Sequence, residues 1–299
     1  MNKDKPQAAN LKTYSNNNNT EEHVFDLGSV PSPCPSGGKI VKLKHELIYA
    51  EHTMSLIETR LLYYCMSHFN VSEHFNKDDG TLPSDEECNL DFKPSSKEIR
   101  SISFPMSVLL KDICHDSKSN SYDPLKSAMQ SLIGKTFRLF HKGGKTEVIT
   151  PIENAFIYKC EKTKLYHLLV TFGWDFMRFV IGTRGYCKLN LKDVFQFKSP
   201  LAIRYYHWLI NSININKAFG RIPVTIDTLK SRLAIPEGAY QKHFYSRCVL
   251  KPLEEVAKKA DLDIKVEQFF NKQVRGRPLQ RIVITSKLSS FPYGGGLVS

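Results

Sequence analysis

The chain has no run of apolar residues approaching the roughly 20 needed to cross a bilayer. Its start, Met1-Asn2-Lys3-Asp4-Lys5-Pro6, has no hydrophobic signal core behind it, so no membrane partner is expected. It has no C-x-x-C pair. The seven cysteines, at 34, 65, 88, 114, 160, 187 and 248, are odd in number and widely spaced. That pattern argues against a disulfide framework and a zinc site, and for a reducing cytosol. Three catalytic signatures are missing: a P-loop, an H-E-x-x-H helix, and a histidine pair flanking a hydrophobic residue of the kind that strand-nicking enzymes use for metal. His45, His52, His68 and His74 are scattered and read as solvated. Tyrosines are plentiful, but none sits beside a plausible metal cluster. The chain is therefore read as non-enzymatic, with no cofactor and no metal.

What is present is positive charge, unevenly spread. The 299 residues, 41% apolar and 24% charged, carry a net charge of +12 and suffice for one large or two ordinary domains. From Ser199 to Ser299 there are 16 Lys/Arg against 7 Asp/Glu, so a third of the chain holds +9 of that charge. Charge concentrated on one module points to a polyanionic partner, nucleic acid before acidic membrane.

That basic third has a readable order. Ser199 and Pro200 suit the N-cap and first position of a helix whose buried stripe is Leu201, Tyr205, Trp208, Leu209 and Ser212/Ile213. Gly220 and Pro223 read as a break, and Thr225 caps a short helix carrying Ile226, Leu229 and Leu233. After the Pro236-Glu237-Gly238 turn comes a third helix, apolar at Tyr240, Phe244, Cys248, Leu250, Leu253 and Val256. Alternating segments at 264–267 and 279–284 then flank Asn271–Arg277, a hairpin tip with three basic residues. Three helices followed by a basic hairpin is the order of a winged helix-turn-helix. Pro252 falls inside the third helix, where it removes a hydrogen bond, strains the carbonyl of Cys248 and predicts a kink.

The rest of the chain repeats this order. Residues 1–38 are polar, with Asn16–Asn19 and several prolines, and read as a flexible tail holding at most a short docked piece at Val24–Leu27. Ser55 and Glu58 form a capping box for a helix carrying Leu56, Leu61, Leu62, Tyr64, Cys65 and Phe69. Residues 70–95 read as an acidic surface loop. Extended Ile102-Ser103-Phe104 leads through Pro105 into a second helix. A third, from Pro124 to Ile133, is predicted to end in a left-handed Gly134. Strands at 136–140, 148–149, 155–159 and 165–172 follow. The glycine turn His141–Lys145 is taken as the basic hairpin tip of this half, and 174–180 and 189–195 as the link to Ser199.

The pieces Leu56-Ile57-Glu58-Thr59-Arg60-Leu61-Leu62, Tyr158 with Val170-Thr171-Phe172, Ser199–Tyr206 and Arg247–Val256 stand in an order that resembles the initiator proteins of iteron-containing, theta-replicating plasmids. The resemblance covers about residues 40–287. It implies an α+β fold of two tandem winged-helix domains related by a pseudo-twofold: tail 1–38, N-terminal domain 39–190 for dimerisation and phosphate contacts, C-terminal domain 191–299 as main DNA reader. It also implies a bacterial cytoplasmic protein that binds directly repeated sites in double-stranded origin DNA and switches between monomer and homodimer. Opening the origin, engaging the host initiator and replicative helicase, and repressing its own promoter as a dimer follow by the same resemblance. The alternatives are a winged-helix transcriptional repressor and a nicking-type initiator endonuclease.

Candidate DNA contacts follow from residue type and position. Lys242, His243, Ser246 and Arg247, with Lys251 beyond, lie opposite Phe244 and Cys248 near the start of the third helix, where such helices reach base edges. Arg247 suits a bidentate pair with guanine, and the bland alternative is a solvated basic face. Lys272, Arg275 and Arg277 at the hairpin tip suit phosphate. Lys126, Ser127 and Gln130 on the N-terminal third helix suit backbone contacts, as do Lys142 and Lys145. Tyr205 and Trp208 read as core.

Overall fold

The computed structural model describes residues 40–69, 97, 100–114, 122–161, 163–181, 185–217, 219–239, 243–271, 273 and 278–288. The expectations for the tail, for Val24–Leu27 and for the whole 70–95 loop lie outside them.

β1 (Ile40–Lys44) runs directly into the short α1 (His45–Ile48). α2 (Leu56–His68) starts at the predicted capping box: Glu58 N donates to Ser55 Oγ at 3.4 Å and Ser55 N to Glu58 Oε2 at 2.7 Å. β2 (Ser101–Pro105) passes into α3 (Met106–Leu109), which widens into a π-helical turn, Leu110–Cys114. α4 (Asp123–Ile133), with Pro124 in its first turn, buries Leu125, Ala128 and Leu132. It ends at Gly134 as expected, but that glycine has φ −90°. Its N–H donates to Ser131 O at 3.3 Å, so the end is closed without a left-handed residue.

β3 (Phe137–Phe140) and β4 (Thr146–Ile149) form a hairpin, as do β5 (Ile152–Lys159) and β6 (Tyr166–Phe172). α5 (Met177–Ile181) leads to β7 (Tyr186–Asn190), which returns to β1 with Ile40 opposite Asn190, and then to α6 (Leu191–Gln196). This pairing replaces the expected link.

In the C-terminal half α7 (Pro200–Asn216) takes Ser199 as its cap, with Ala202 N 3.4 Å from Ser199 Oγ. β8 (Gly220–Thr225) precedes α8 (Ile226–Arg232), capped by Thr225 Oγ1 at 3.2 Å from Thr228 N. A π-helical turn (Tyr245–Leu250) runs into α9 (Lys251–Ala260), followed by β9 (Leu262–Phe270) and β10 (Leu279–Leu288).

Gly220 and Pro223 are thus not a break but parts of a strand. β8 lies at the edge of its sheet, where proline is tolerated. Gly220 lets the strand pass close to α7 and β10: a Cβ there would stand 2.6 Å from Ser286 Oγ and 3.2 Å from an Ile213 side-chain carbon.

The two halves share one plan. Their antiparallel sheets have the orders β2-β6-β5 and β8-β10-β9. In each, the first strand follows the first helix and the hairpin follows the third, so each half is a winged helix. The counterpart of wing β9–β10 is therefore β5–β6, not the β3–β4 hairpin that bears Lys142 and Lys145. β3–β4 is a separate two-stranded sheet. It is tied to the body through Glu51, whose N–H and C=O exchange bonds of 3.0 and 2.9 Å with Arg138.

α7 was expected to bury one stripe. It is buried almost all round, including Arg204, Tyr206 and His207, while Leu201 is half-exposed. The cause is its position between the halves. Trp208 Nε1 donates to Ile48 O at 2.7 Å, and Asn211 Nδ2 to Tyr49 Oη at 3.2 Å. Tyr205 Oη donates to Cys248 O at 2.9 Å, and Ser212 Oγ accepts from Arg221 N at 2.9 Å. Arg204 donates to His52 O at 2.9 Å, to Ala50 O at 2.5 Å and to Arg232 O. Arg60 does the same lower down, donating to Ile113 O (2.8 Å), Phe195 O (2.6 Å) and Phe197 O (2.9 Å).

Two predictions concern this seam. Lys cannot reproduce a planar fork spanning three carbonyls. Arg204→Lys should therefore lower unfolding free energy by about 2–4 kcal/mol in denaturant titrations, whereas exposed Arg221→Lys should stay within about 0.5 kcal/mol. Equal effects would refute the assignment.

The second concerns pH. His207 is 2% exposed, 3.4 Å from Tyr63 Oη through Nδ1. Burial, then the charge of Arg204, pull its pKa from 6.5 to about 3. His52 is lowered for the same reasons in the same order. Between pH 6.5 and about 3 the unfolded chain binds a proton at residue 207 that the folded chain does not. Stability should therefore fall as pH falls through that window, by up to about 1.4 kcal/mol per unit for each such histidine. His207→Phe should flatten the slope by one proton's share, and an unchanged slope would reject the assignment.

Candidate nucleic-acid interface

The face expected to read DNA is built on the third helix of the C-terminal half. Phe244, Cys248, Leu253 and Val256 are buried beneath it, as predicted, and Val249 joins them. Pro252 does not kink a continuous helix from its middle. It sits in the first turn of α9, directly after the π-helical turn Tyr245–Leu250. Its fixed φ suits that first turn.

His243, Ser246, Arg247 and Lys251 are all exposed on the solvent side. Ser246 Oγ donates to His243 O at 3.1 Å, which leaves it only acceptor capacity towards a ligand. Arg247 and Lys251 make no ion pair among the described residues. Lys259 is instead bound to Glu255 at 2.7 Å, and Lys287 to Asp263 at 3.5 Å. Lys230 on α8 stands 5.3 Å over the Phe244 ring. Arg247 and Lys251 thus put two unpaired cations towards the start of the helix. Lys242 lies outside the described residues.

Beside this face stands the β9–β10 wing. Asn271 N donates to Pro278 O at 2.9 Å across the base of the tip, and Gln273 N to Asn271 Oδ1 at 3.0 Å. Lys272, Arg275 and Arg277 lie outside the described residues. The wing also carries residues that sequence reasoning missed. Phe269 and Phe270 are 38% and 49% exposed, and the Arg281 guanidinium lies 4.4 Å from the Phe269 ring centre. The register shifts between Leu279 and Arg281. With Thr225 and Gln280, these residues line an open hollow of about 500 Å³. The signal was available: successive strand residues face opposite sides, so two adjacent aromatics cannot both enter one core.

In the N-terminal half Lys126, Ser127 and Gln130 are exposed on α4, as expected. Lys126 makes a 3.9 Å surface pair with Asp123, an interaction of little energy. Lys145 is exposed on the β3–β4 hairpin, and Lys142 begins its short turn. The true wing of this half, β5–β6, instead presents Lys159 and Lys164, the latter with φ +58° in the turn. Among the described residues no group of three or more His, Cys, Asp or Glu could hold a metal ion. No described helix is long and apolar enough to cross a membrane.

Two family models match the chain: "Initiator Replication protein, WH1" over residues 40–210 and "Initiator Rep protein, WH2" over 225–286. A replication initiation protein of Escherichia coli is 22% identical over 250 residues, covering 83% of this chain and 70% of that one. Among solved structures, the Pi initiator protein in complex with iteron DNA matches with a TM-score of 0.56 at 14% identity, covering 85% of this chain and 98% of that one. That likeness bears on the fold. The chain belongs to the initiator replication protein family.

Proposed function

We propose that this initiator binds directly repeated duplex sites at a plasmid replication origin, reading them mainly with residues 191–299 and holding phosphates with residues 39–190. The observation that carries this reading is the face at His243, Ser246, Arg247 and Lys251. It is exposed, its two strong cations make no ion pair among the described residues, and it stands on a helix with a buried underside beside a wing. The Pi initiator, whose fold this chain shares, was solved with iteron DNA. In this reading the protein is a non-enzymatic bacterial cytoplasmic protein without a cofactor. As a monomer it opens the origin and recruits the host initiator and replicative helicase, and as a dimer it represses its own promoter. Arg247 is the base reader, Lys242, His243, Ser246 and Lys251 flank it, and Lys272, Arg275 and Arg277 hold phosphate at the wing. Lys126, Ser127, Gln130, Lys142 and Lys145 supply backbone contacts from the N-terminal half.

The test is binding to a duplex carrying the direct repeats beside the coding gene, against a scrambled duplex of equal composition. The logarithm of affinity should fall with log salt by about 0.9 per phosphate neutralised, and a slope near zero would sink the reading. Arg247→Ala should lose about 1–3 kcal/mol on the repeats and little on the scrambled duplex. Arg275→Ala and Arg277→Ala should weaken both about equally, since phosphate contacts carry no sequence information. Equal loss of preference in all three variants would reject the division of roles.

A further inference from the structure

The recognition face is not held by its own helix alone. Within the π-helical turn each N–H reaches back five residues, as Lys251 N does to Ser246 O, and Pro252, which has no N–H, interrupts that ladder beside Arg247 and Cys248. Cys248 is 1% exposed, so its carbonyl is shielded from water and needs its donors from within the fold. The donor comes from a different element. Tyr205 on α7, 0% exposed, places its hydroxyl 2.9 Å from Cys248 O. The same ring meets Trp208 edge-on at 5.3 Å, and Trp208 is bound to Ile48 O of the N-terminal half.

The affected carbonyl lies inside the π-helical turn Tyr245–Leu250, just before α9 begins. A π-turn holds one extra residue. Residues ahead of it are therefore rotated by about 100° around the axis compared with an unbroken α-helix. His243 lies ahead of that turn, Ser246 and Arg247 within it, and Lys251 after it. The direction in which Arg247 points relative to Lys251 thus depends on the turn being held open. We infer that Tyr205 is a positioning residue for sequence discrimination: its buried hydroxyl bonds the Cys248 carbonyl where Pro252 interrupts the main-chain ladder, and so fixes the turn that aims His243, Ser246 and Arg247. This inference rests on the DNA reading proposed above. It assigns a specificity role to a residue that touches no DNA.

The experiment uses the full chain as wild type, Tyr205→Phe, Pro252→Ala and the double variant. The probes are the duplex that the wild type enriches from a randomised pool and a scrambled duplex of equal composition, at one salt concentration. Tyr205→Phe keeps the ring and its packing. It should lower the matched-to-scrambled affinity ratio about tenfold, with scrambled affinity and cooperative unfolding retained. Pro252→Ala should keep the ratio within about twofold of wild type, because Tyr205 still serves Cys248. In the double variant the new N–H at 252 should restore the ratio to the same range. An unchanged ratio in Tyr205→Phe, or a loss that the double variant does not repair, overturns the inference. Should Tyr205→Phe alone fail to fold, a folded double variant with a near-wild-type ratio supports the exchange of donors. A double variant that has lost the ratio, or that also fails to fold, rejects it. A wild type that enriches no sequence defeats the DNA reading itself, which is a different outcome from an unchanged Tyr205→Phe.

Discussion

The structure depends on two buried guanidiniums whose partners are main-chain carbonyls. Removing an arginine from water costs several kcal/mol, and burial lowers the pKa of Arg204 to about 10. What offsets the cost is the kind of acceptor. Arg232 O lies on the last residue of α8, Phe195 O in the last turn of α6, and Ile113 O near the end of the π-turn after α3. Helix ends leave carbonyls without intrahelical partners, and they carry partial negative charge. Each arginine therefore works as an internal C-cap for segments that meet only in the folded chain. Glycine caps can remain scarce where such a fork is available. Among the described residues, the non-glycine residues Lys164, Lys217, Ala234 and Asp261 take positive φ.

Arg204 sits on α7, and this helix is the reason the two winged halves cannot be treated as separable beads. Its Arg204, Trp208 and Asn211 reach back to residues 48–52, whereas Tyr205 and Ser212 hold the third helix and β8. One helix thus supplies core to both sides. Any change in how the halves sit must rebreak bonds to buried carbonyls, so intermediate arrangements are penalised. Small errors at α7 are passed directly to the recognition face.

Much of this was legible in the sequence because it is local. The Ser55–Glu58 box, the Ser199 and Thr225 caps, and the stripe Phe244, Cys248, Leu253, Val256 involve neighbours within one or two turns, where residue type and spacing decide the outcome. Apart from the conformation of Gly134 and the kink at Pro252, the misreadings are non-local. Gly220 and Pro223 look like a break until an edge position and the close approach of Ser286 are known. β7 could not be paired with β1 across some 140 residues from its own pattern. The glycine-rich tip at Gly143-Gly144 drew attention to β3–β4, whereas the wing is defined by which strand pairs with β2. Around α7, burial of Arg204 and His207 contradicts their polarity because two domains compete for one helix. Of the candidate site, the exposure of residues 243, 246, 247 and 251 was legible; the aromatic hollow and the bond from Tyr205 depend on register and on a carbonyl in another element.

The charge count also changes meaning once the fold is known. The +9 carried by Ser199–Ser299 suggests a uniformly basic module, but its cations do different things. Arg204 is spent inside on carbonyls, and Lys259 and Lys287 are neutralised by Glu255 and Asp263. Arg281 and Lys230 lie over aromatic rings. Among the described residues, Arg247 and Lys251 are two cations without an ion pair that share one exposed face, where the π-turn meets α9. Long-range attraction to a polyanion follows from the whole sum. In the proposed reading, discrimination between sequences falls to that face, and there direction matters as well as charge. A basic composition brings the chain to DNA; the buried polar contacts beneath the helix decide what it can distinguish there.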